Sequence, residues 1–180
     1  MERSRLVFSG SGGQGVITAA IILAEAAALF EGKNAVQSQS YGAAARGGAT
    51  RSDILISDTE INFPKVIQPN ILVSLTQESY NKFSPIIRPG GLLLMDSKYV
   101  TIEKKVAARH ICLPMYETVM EKIGKPIVFN ICMLGALIGI SQLVKPESIL
   151  KVLERTIPKD FMDMNKRALD LGMEMGEAQR

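Results

Sequence analysis

Thiols, imidazoles and indoles are nearly missing from this chain. Its 180 residues include two cysteines, Cys112 and Cys132, one histidine, His110, and no tryptophan. A structural zinc site takes four Cys or His ligands and an iron–sulfur cluster about four thiolates, so this chain alone supplies neither. The two cysteines are too far apart in sequence for a paired metal-ligand motif. Both sit in apolar runs, where a buried, unreactive thiol is expected. His110 has no carboxylate or serine close by in sequence, so no nucleophile–base pair assembles around it, and no set of paired carboxylates stands in for one. No catalytic residue and no metal ligand is assigned to the chain, and any redox centre is expected on other polypeptides.

Charge of one sign is also scarce. Lys and Arg number 21 against 18 Asp and Glu, a formal net charge of +3 with a pI near 8.9. The cations look scattered. The only basic run, Lys104, Lys105 and Arg109, is broken by apolar residues and reads as solvated surface, so nucleic acid is not expected as a partner. The longest apolar stretch, residues 127–143, falls short of the roughly 18 residues that cross a bilayer and contains Asn130, Ser141 and Gln142, so no membrane span is expected. Residues 6–8 and the glycines after them do not form an apolar signal core, which points to the cytoplasm.

What the chain does have is apolar mass. Hydrophobic residues make up 47% of it, enough for one domain over residues 1–180 that folds without staples. Residues 6–8 predict a strand that stops at the cluster Gly10-Ser11-Gly12-Gly13-Gln14-Gly15, and residues 16–30 predict a helix running to Gly32. Strands are predicted at 35–39, 52–57, 71–75, 92–95 and 110–113. Helices are predicted at 77–83, 117–123, 130–143, 146–154 and 159–176, with Asn130 as an N-cap. Asp58 and Thr59 separate the third strand from a strand-like run at 60–63, which predicts an antiparallel hairpin there. The class is α/β: a single Rossmann-like domain with a mostly parallel mixed sheet, an antiparallel hairpin and helices on both faces.

Two of the helices lack a polar face. In residues 16–30 only Thr18 and Glu25 are polar, and residues 131–140 contain no polar side chain at all. Such helices either lie at the centre of the core or present part of their surface to another subunit, which leaves room for a homodimer of the isolated chain. Gly135 and Gly139, four apart, permit close backbone approach on one helix face.

Gly10, Gly12 and Gly15 have the spacing of a dinucleotide-binding fingerprint, placed after a strand and before a helix. Gly13 and Gln14 complete the loop. Such glycines let a phosphate approach unpaired amides at the positive end of the helix. The dinucleotide pattern also needs an acidic residue about 20 positions on, to hold the ribose. Residues 36–40, Val-Gln-Ser-Gln-Ser, contain no acid for NAD and no arginine for NADP. The loop after the second predicted strand, from Tyr41 to Ala49, falls on the same sheet edge. It carries Arg46 beside Gly47 and Gly48, a guanidinium in a small-residue setting suited to bidentate contact with phosphate or carboxylate, or to a neighbouring chain's acid. Asp96 and Ser97, ending a strand, read as a helix cap or turn. A binding component fits these residues better than a catalytic one.

Taken in order, Gly12-Gly13-Gln14-Gly15-Val16, Gln39-Ser40-Tyr41-Gly42, Arg46-Gly47-Gly48-Ala49, Ser52-Asp53-Ile54-Leu55-Ile56-Ser57 and Gly90-Gly91-Leu92-Leu93-Leu94-Met95-Asp96 resemble the gamma subunit of 2-oxoacid:ferredoxin (acceptor) oxidoreductases. The similarity continues through residues 130–139 and through Asn165, Ala168 and Gly172. The form of the second loop looks more like the 2-oxoglutarate members than the pyruvate members. The resemblance implies one subunit of an enzyme that oxidatively decarboxylates a 2-oxoacid to an acyl-CoA, here 2-oxoglutarate to succinyl-CoA, and is inactive alone. It also implies thiamine-binding alpha and beta subunits with thiamine diphosphate and Mg2+, a small ferredoxin-like subunit carrying iron–sulfur clusters, and ferredoxin or another electron acceptor. Coenzyme A is the co-substrate, and the implied contact with it falls on Gly10, Gly12, Gly13, Gln14, Gly15, Tyr41, Arg46, Gly47 and Gly48. Many relatives have Pro-Glu where this chain has Ala43-Ala44, so no role of that glutamate carries over. Gamma subunits acting on pyruvate, branched-chain 2-oxoacids or indolepyruvate stay open, as do a stand-alone nucleotide-binding oxidoreductase and a purely architectural subunit.

Overall fold

The computed structural model describes residues 3–40 and 48–180. Its strands are β1 (Ser4–Gly10), β2 (Asn34–Ser40), β3 (Thr50–Ser57), β4 (Ile71–Ser74), β5 (Leu92–Asp96) and β6 (Arg109–Leu113). They form one sheet in the order β2-β3-β1-β4-β5-β6. Strands β1, β4, β5 and β6 are mutually parallel, and β3 runs antiparallel between β2 and β1, so β2 points the same way as β1. The helices are α1 (Val16–Phe30), α2 (Gln77–Phe83), α3 (Met115–Lys122), α4 (Phe129–Ser141), α5 (Pro146–Thr156) and α6 (Met162–Glu177).

Alternation along the strands builds two cores of unequal size. Leu6 and Phe8 of β1, Ile54 and Ile56 of β3, and Val73 of β4 face α1, α3, α4, α5 and α6. Val7, Leu55, Leu72, Leu93 and Met95 face the other way, onto Tyr80 and Phe83 of α2. The mixed α/β sheet with helices on both faces is as expected from the sequence.

The antiparallel pairing is not where the sequence suggested. Residues 60–63 form no strand, and β3 pairs with β1 and β2 instead. Both hydrogen-bonding edges of β3 are thereby filled, and the chain after it crosses over the sheet face. Asp53 and Arg51 of β3 hold that crossing segment: Val66 N–H donates to Asp53 Oδ2 at 3.1 Å, and Arg51 Nη2 donates to the Val66 carbonyl at 2.5 Å. Arg51 Nε also donates to Asp53 Oδ1 at 2.6 Å.

Helix α4 is enclosed by its own chain. Every residue from Phe129 to Gly139 is buried, and each buried Leu, Ile or Met there contributes about 1.5–3 kcal/mol relative to exposure. Its missing polar face is therefore core and not interface. Close approach of α6 makes this possible. A Cβ on Gly135 would overlap the Leu169 carbonyl, one on Gly172 the Cys132 carbonyl and one on Gly176 the Ala136 carbonyl. Helix α1 is enclosed less fully and leaves Ile21 and Leu29 exposed.

Two local expectations change. Asn130 is not the N-cap of α4; Val128 is, and Asn130 lies in the first turn with its side chain turned to another loop. Cys132 is buried as expected, but Cys112 is exposed, because the strand that carries it, β6, is an edge strand. Desolvation pushes both thiols up, Cys132 to about 12, so neither favours the thiolate at neutral pH.

Candidate functional site

The connections out of β1 and β4 lead to opposite sides of the sheet, since β1 passes through α1 toward β2 and β4 passes through α2 toward β5. The carboxyl ends of these two adjacent strands frame a crevice at the point where the strand order reverses, the favoured ligand position in open α/β sheets. Ser9 Oγ donates to the Val73 carbonyl at 2.7 Å and lies 3.3 Å from Ser74 Oγ, joining the two strands at the crevice floor.

The glycine loop closes over this point. Gly13 has φ 87° and Gly15 φ 74°, both in the left-handed region that L side chains avoid. Gly15 is the N-cap of α1, and the first helical bond runs from Ala19 N–H to the Gly15 carbonyl at 2.9 Å. The amides ahead of it have no partner within the helix and sit at its positive end. No acidic or basic side chain belongs to the loop, so any anion there meets backbone dipoles.

The loop residues divide by what they do. Gln14 points inward: Ser11 N–H donates to its Oε1 at 2.8 Å, and its Nε2 donates to the Leu75 carbonyl at 3.1 Å. It ties the loop to the end of β4. Gly10 makes room for that amide, since a Cβ on Gly10 would collide with Gln14 Oε1. Gly15 makes room for Asn130, whose Nδ2 would lie 2.5 Å from a Cβ there. Gly12 is different: among the described residues a Cβ on it meets nothing within 4 Å, and its φ is not in the left-handed region. No described residue of this chain therefore needs a glycine at position 12.

Asn130 is the residue that sequence reasoning misplaced. Its Nδ2 donates to the Gly15 carbonyl at 3.2 Å, and its buried Oδ1 has no hydrogen-bond partner among the described residues. An unpaired buried acceptor costs about 1–3 kcal/mol. The available signal was one polar residue at the head of an otherwise apolar helix.

Two hollows meet at the loop. A cavity of about 310 Å³ lies over Ser11–Gly13, the first turn of α1 and Thr50, whose hydroxyl donates to the Gly10 carbonyl at 3.2 Å. A larger groove of about 470 Å³ shares Gly13 and Gly15 and runs between α1, the start of α4 and the α5–α6 turn, over Ile21, Ile127, Ile157 and Phe161. A polar end against backbone amides and an apolar extension suit an elongated ligand with a phosphate or carbonyl at one end.

The second expected loop is reached only at its ends. Tyr41, Arg46 and Gly47 lie outside the described residues. Ser40 pairs with Arg51 while the adjacent Thr50 pairs with Gly10, so the facing ends of β2 and β3 lie at the glycine-loop edge of the sheet. Gly48 stands just before β3, half-buried.

Asp96 has the capping role read from sequence. Its carboxylate accepts from Lys98 N–H at 2.9 Å and Tyr116 N–H at 2.8 Å, which fixes the start of α3. Burial pushes its pKa up, and those two amide bonds oppose the shift. The rings of Tyr99, Tyr116 and Phe129 pack together beside it, and burial first, then the Tyr116 hydroxyl, raises Tyr99 to about 12. Among the described residues, no group of three or more His, Cys, Asp or Glu converges to hold a metal.

Residues 5–175 match the sequence pattern of the pyruvate ferredoxin/flavodoxin oxidoreductase family. The chain belongs to this family. It is 44% identical to the 2-oxoglutarate synthase subunit KorC of Methanocaldococcus jannaschii over 177 residues, 97% of this chain and 95% of that one. The crystal structure of a keto/oxoacid ferredoxin oxidoreductase gamma subunit from Geobacter sulfurreducens superimposes with a TM-score of 0.90 at 38% identity, covering 99% of this chain and 98% of the other. The fold recurs, at 19% identity and a TM-score of 0.87, within the longer chain of a 2-oxoglutarate:ferredoxin oxidoreductase from Magnetococcus marinus, covering 99% of this chain and 32% of that one. The fold is thus found both as a separate chain and as one part of a larger polypeptide. No described helix is long and apolar enough to cross a membrane.

Proposed function

We propose that this chain is the gamma subunit of a cytoplasmic 2-oxoglutarate:ferredoxin (or other acceptor) oxidoreductase, which converts 2-oxoglutarate and coenzyme A to succinyl-CoA. The substrate assignment rests on the full-length similarity to 2-oxoglutarate synthase subunits, 44% in one relative and 40% in another from Archaeoglobus fulgidus. Similarity to pyruvate synthase subunits is lower, at 32%.

Resident cofactors do not fit this chain. Two cysteines and one histidine cannot ligate an iron–sulfur cluster, and the described residues offer no carboxylate cluster for the metal of a diphosphate site. Thiamine diphosphate, Mg2+ and iron–sulfur clusters belong in this reading to the alpha, beta and ferredoxin-like subunits. No chemical step is assigned to the chain.

Its own contribution is to assembly and to holding coenzyme A. The observation that carries the second role is the cradle at α1: two glycines with positive φ, a third that no described residue crowds, and the first amides of α1, which have no partner within the helix. There the loop would hold a phosphate or amide carbonyl of the co-substrate. Arg46, Gly47 and Gly48 are assigned to the same contact, a guanidinium being suited to bidentate bonding with phosphate.

Native purification of the tagged chain tests the proposal. It should recover thiamine-binding partners, and adding the chain to those partners should restore coenzyme A-dependent oxidation of 2-oxoglutarate. Recovery of no such partner, or activity indifferent to the chain, would overturn it.

A further inference from the structure

The opposite end of the sheet carries a second recess, of about 600 Å³, that the cradle at α1 does not use. It lies under the segment that crosses over from β3 to β4. Arg3, Arg5, Lys65 and Arg88 line it together with Phe63 and Ile67. In the sequence these cations look scattered. The fold gathers them from the start of β1, from the crossover and from the approach to β5, so that a chain with a net charge of only +3 concentrates four positive side chains at one place.

The recess is held in shape by long-range bonds. Arg3 Nη2 donates to the Glu60 carbonyl at 3.0 Å, Arg5 N–H donates to Asn70 Oδ1 at 2.6 Å, and the Arg51–Asp53 pair grips Val66 between Lys65 and Ile67. Among the described residues, no lining residue is acidic. The carboxylates on and just after β3 are engaged by other cations, Asp53 by Arg51 and Asp58 by Lys33. Phe63 and Ile67 are left 55% and 72% exposed.

Apolar anchors ringed by arginine and lysine have the anatomy of a protein–protein contact, in which the anchors bury area and the charges steer and select. A free inorganic anion would use the cations but leave Phe63 and Ile67 in water. We propose that this recess docks a carboxylate-bearing segment of another subunit, one that places an apolar side chain against Phe63 and Ile67. The inference rests on the gamma-subunit reading above and assigns a surface to its assembly.

The test is the affinity between the full chain and its purified thiamine-binding subunits, measured by calorimetry at about 0.05 M and about 0.5 M salt, concentrations that bracket strong and weak screening. The wild-type affinity should fall with salt. The double variant R5E/K65E should bind at least about tenfold more weakly at low salt and lose most of the salt dependence. The neutral pair R5Q/K65Q should fall between, and F63S/I67S should bind more weakly with the salt dependence intact. Thermal unfolding of each variant should match wild type, because neither Arg5 nor Lys65 makes a described side-chain bond that the fold needs. Equal affinity of wild type and R5E/K65E, with normal unfolding, overturns the docking surface while leaving the gamma-subunit reading standing. Weakened binding of inorganic triphosphate with assembly unchanged would also overturn it, in favour of a small-anion site. Wild-type chain that fails to bind the thiamine-binding subunits removes the underlying reading as well.

Discussion

Replacing Gly15 by alanine probes the cradle from its inner side. Gly15 has φ 74°, and its missing side chain leaves the space that Asn130 fills. An L residue in the left-handed region costs about 1–2 kcal/mol. The added methyl would also sit 2.5 Å from Asn130 Nδ2, 2.7 Å from its Cγ and 2.9 Å from its Cβ, and overpacking of this kind costs about 1–3 kcal/mol more. A total of about 2–5 kcal/mol, at about 2–4 °C per kcal/mol for a chain of this size, gives a fall in Tm of roughly 5–15 °C. Differential scanning calorimetry on the purified chain reads it directly. In an N130A background Cγ and Nδ2 are gone and mainly the φ strain is left, so the two substitutions should couple by about 1 kcal/mol or more. A G15A protein whose Tm stays within about 2 °C of wild type would refute both the strain and the contact.

Other expectations follow from the same geometry. G172A pushes α6 off the Cys132 carbonyl and should destabilise by about 3 kcal/mol or more, read by denaturant unfolding. D96A strands the Lys98 and Tyr116 amides and should cost about 1–3 kcal/mol. Glu31 caps α5, accepting from Lys145 N–H at 2.9 Å and Ser148 Oγ at 2.5 Å. Burial works to raise its pKa, but those two bonds together with the charges of Lys145 and Lys33 outweigh it and hold the carboxyl below its ordinary value. Its folded-state pKa is thus depressed, so its stabilisation is present above the unfolded value and is lost as pH falls through the folded one. The Tm gap between wild type and E31Q should accordingly close below pH of about 4, and a gap that is constant with pH would contradict the cap. R46A should raise the KM for coenzyme A in the assembled enzyme; weakened assembly with KM unchanged would assign Arg46 to a subunit contact.

Strong local signals carried most of the fold. The strand, glycine turn and helix at residues 4–30 were legible because apolar runs meet glycines at the right spacing, and α2 was legible from its polar pattern. The placement of β3 was not, since nothing in residues 50–57 says that both of its edges will be filled. Asn130 was misread for a similar reason: a polar residue at a helix start resembles a cap until the loop it reaches, 115 positions away, is known. The loop glycines were seen as one motif, although Gly10 and Gly15 serve internal contacts and no described residue crowds Gly12. The basic recess was hidden because its cations lie on three separate segments. Exposure of Cys112 followed from an edge position that sheet order alone decides.

Gly12 gives the most direct test of the cradle, because a side chain there meets no described residue of this chain within 4 Å. In the enzyme assembled with G12L, coenzyme A binding measured by equilibrium titration should weaken at least about tenfold, the loss of about 1.4 kcal/mol or more, while Tm and subunit association stay at wild-type values. Unchanged coenzyme A affinity in that assembled variant would contradict the account.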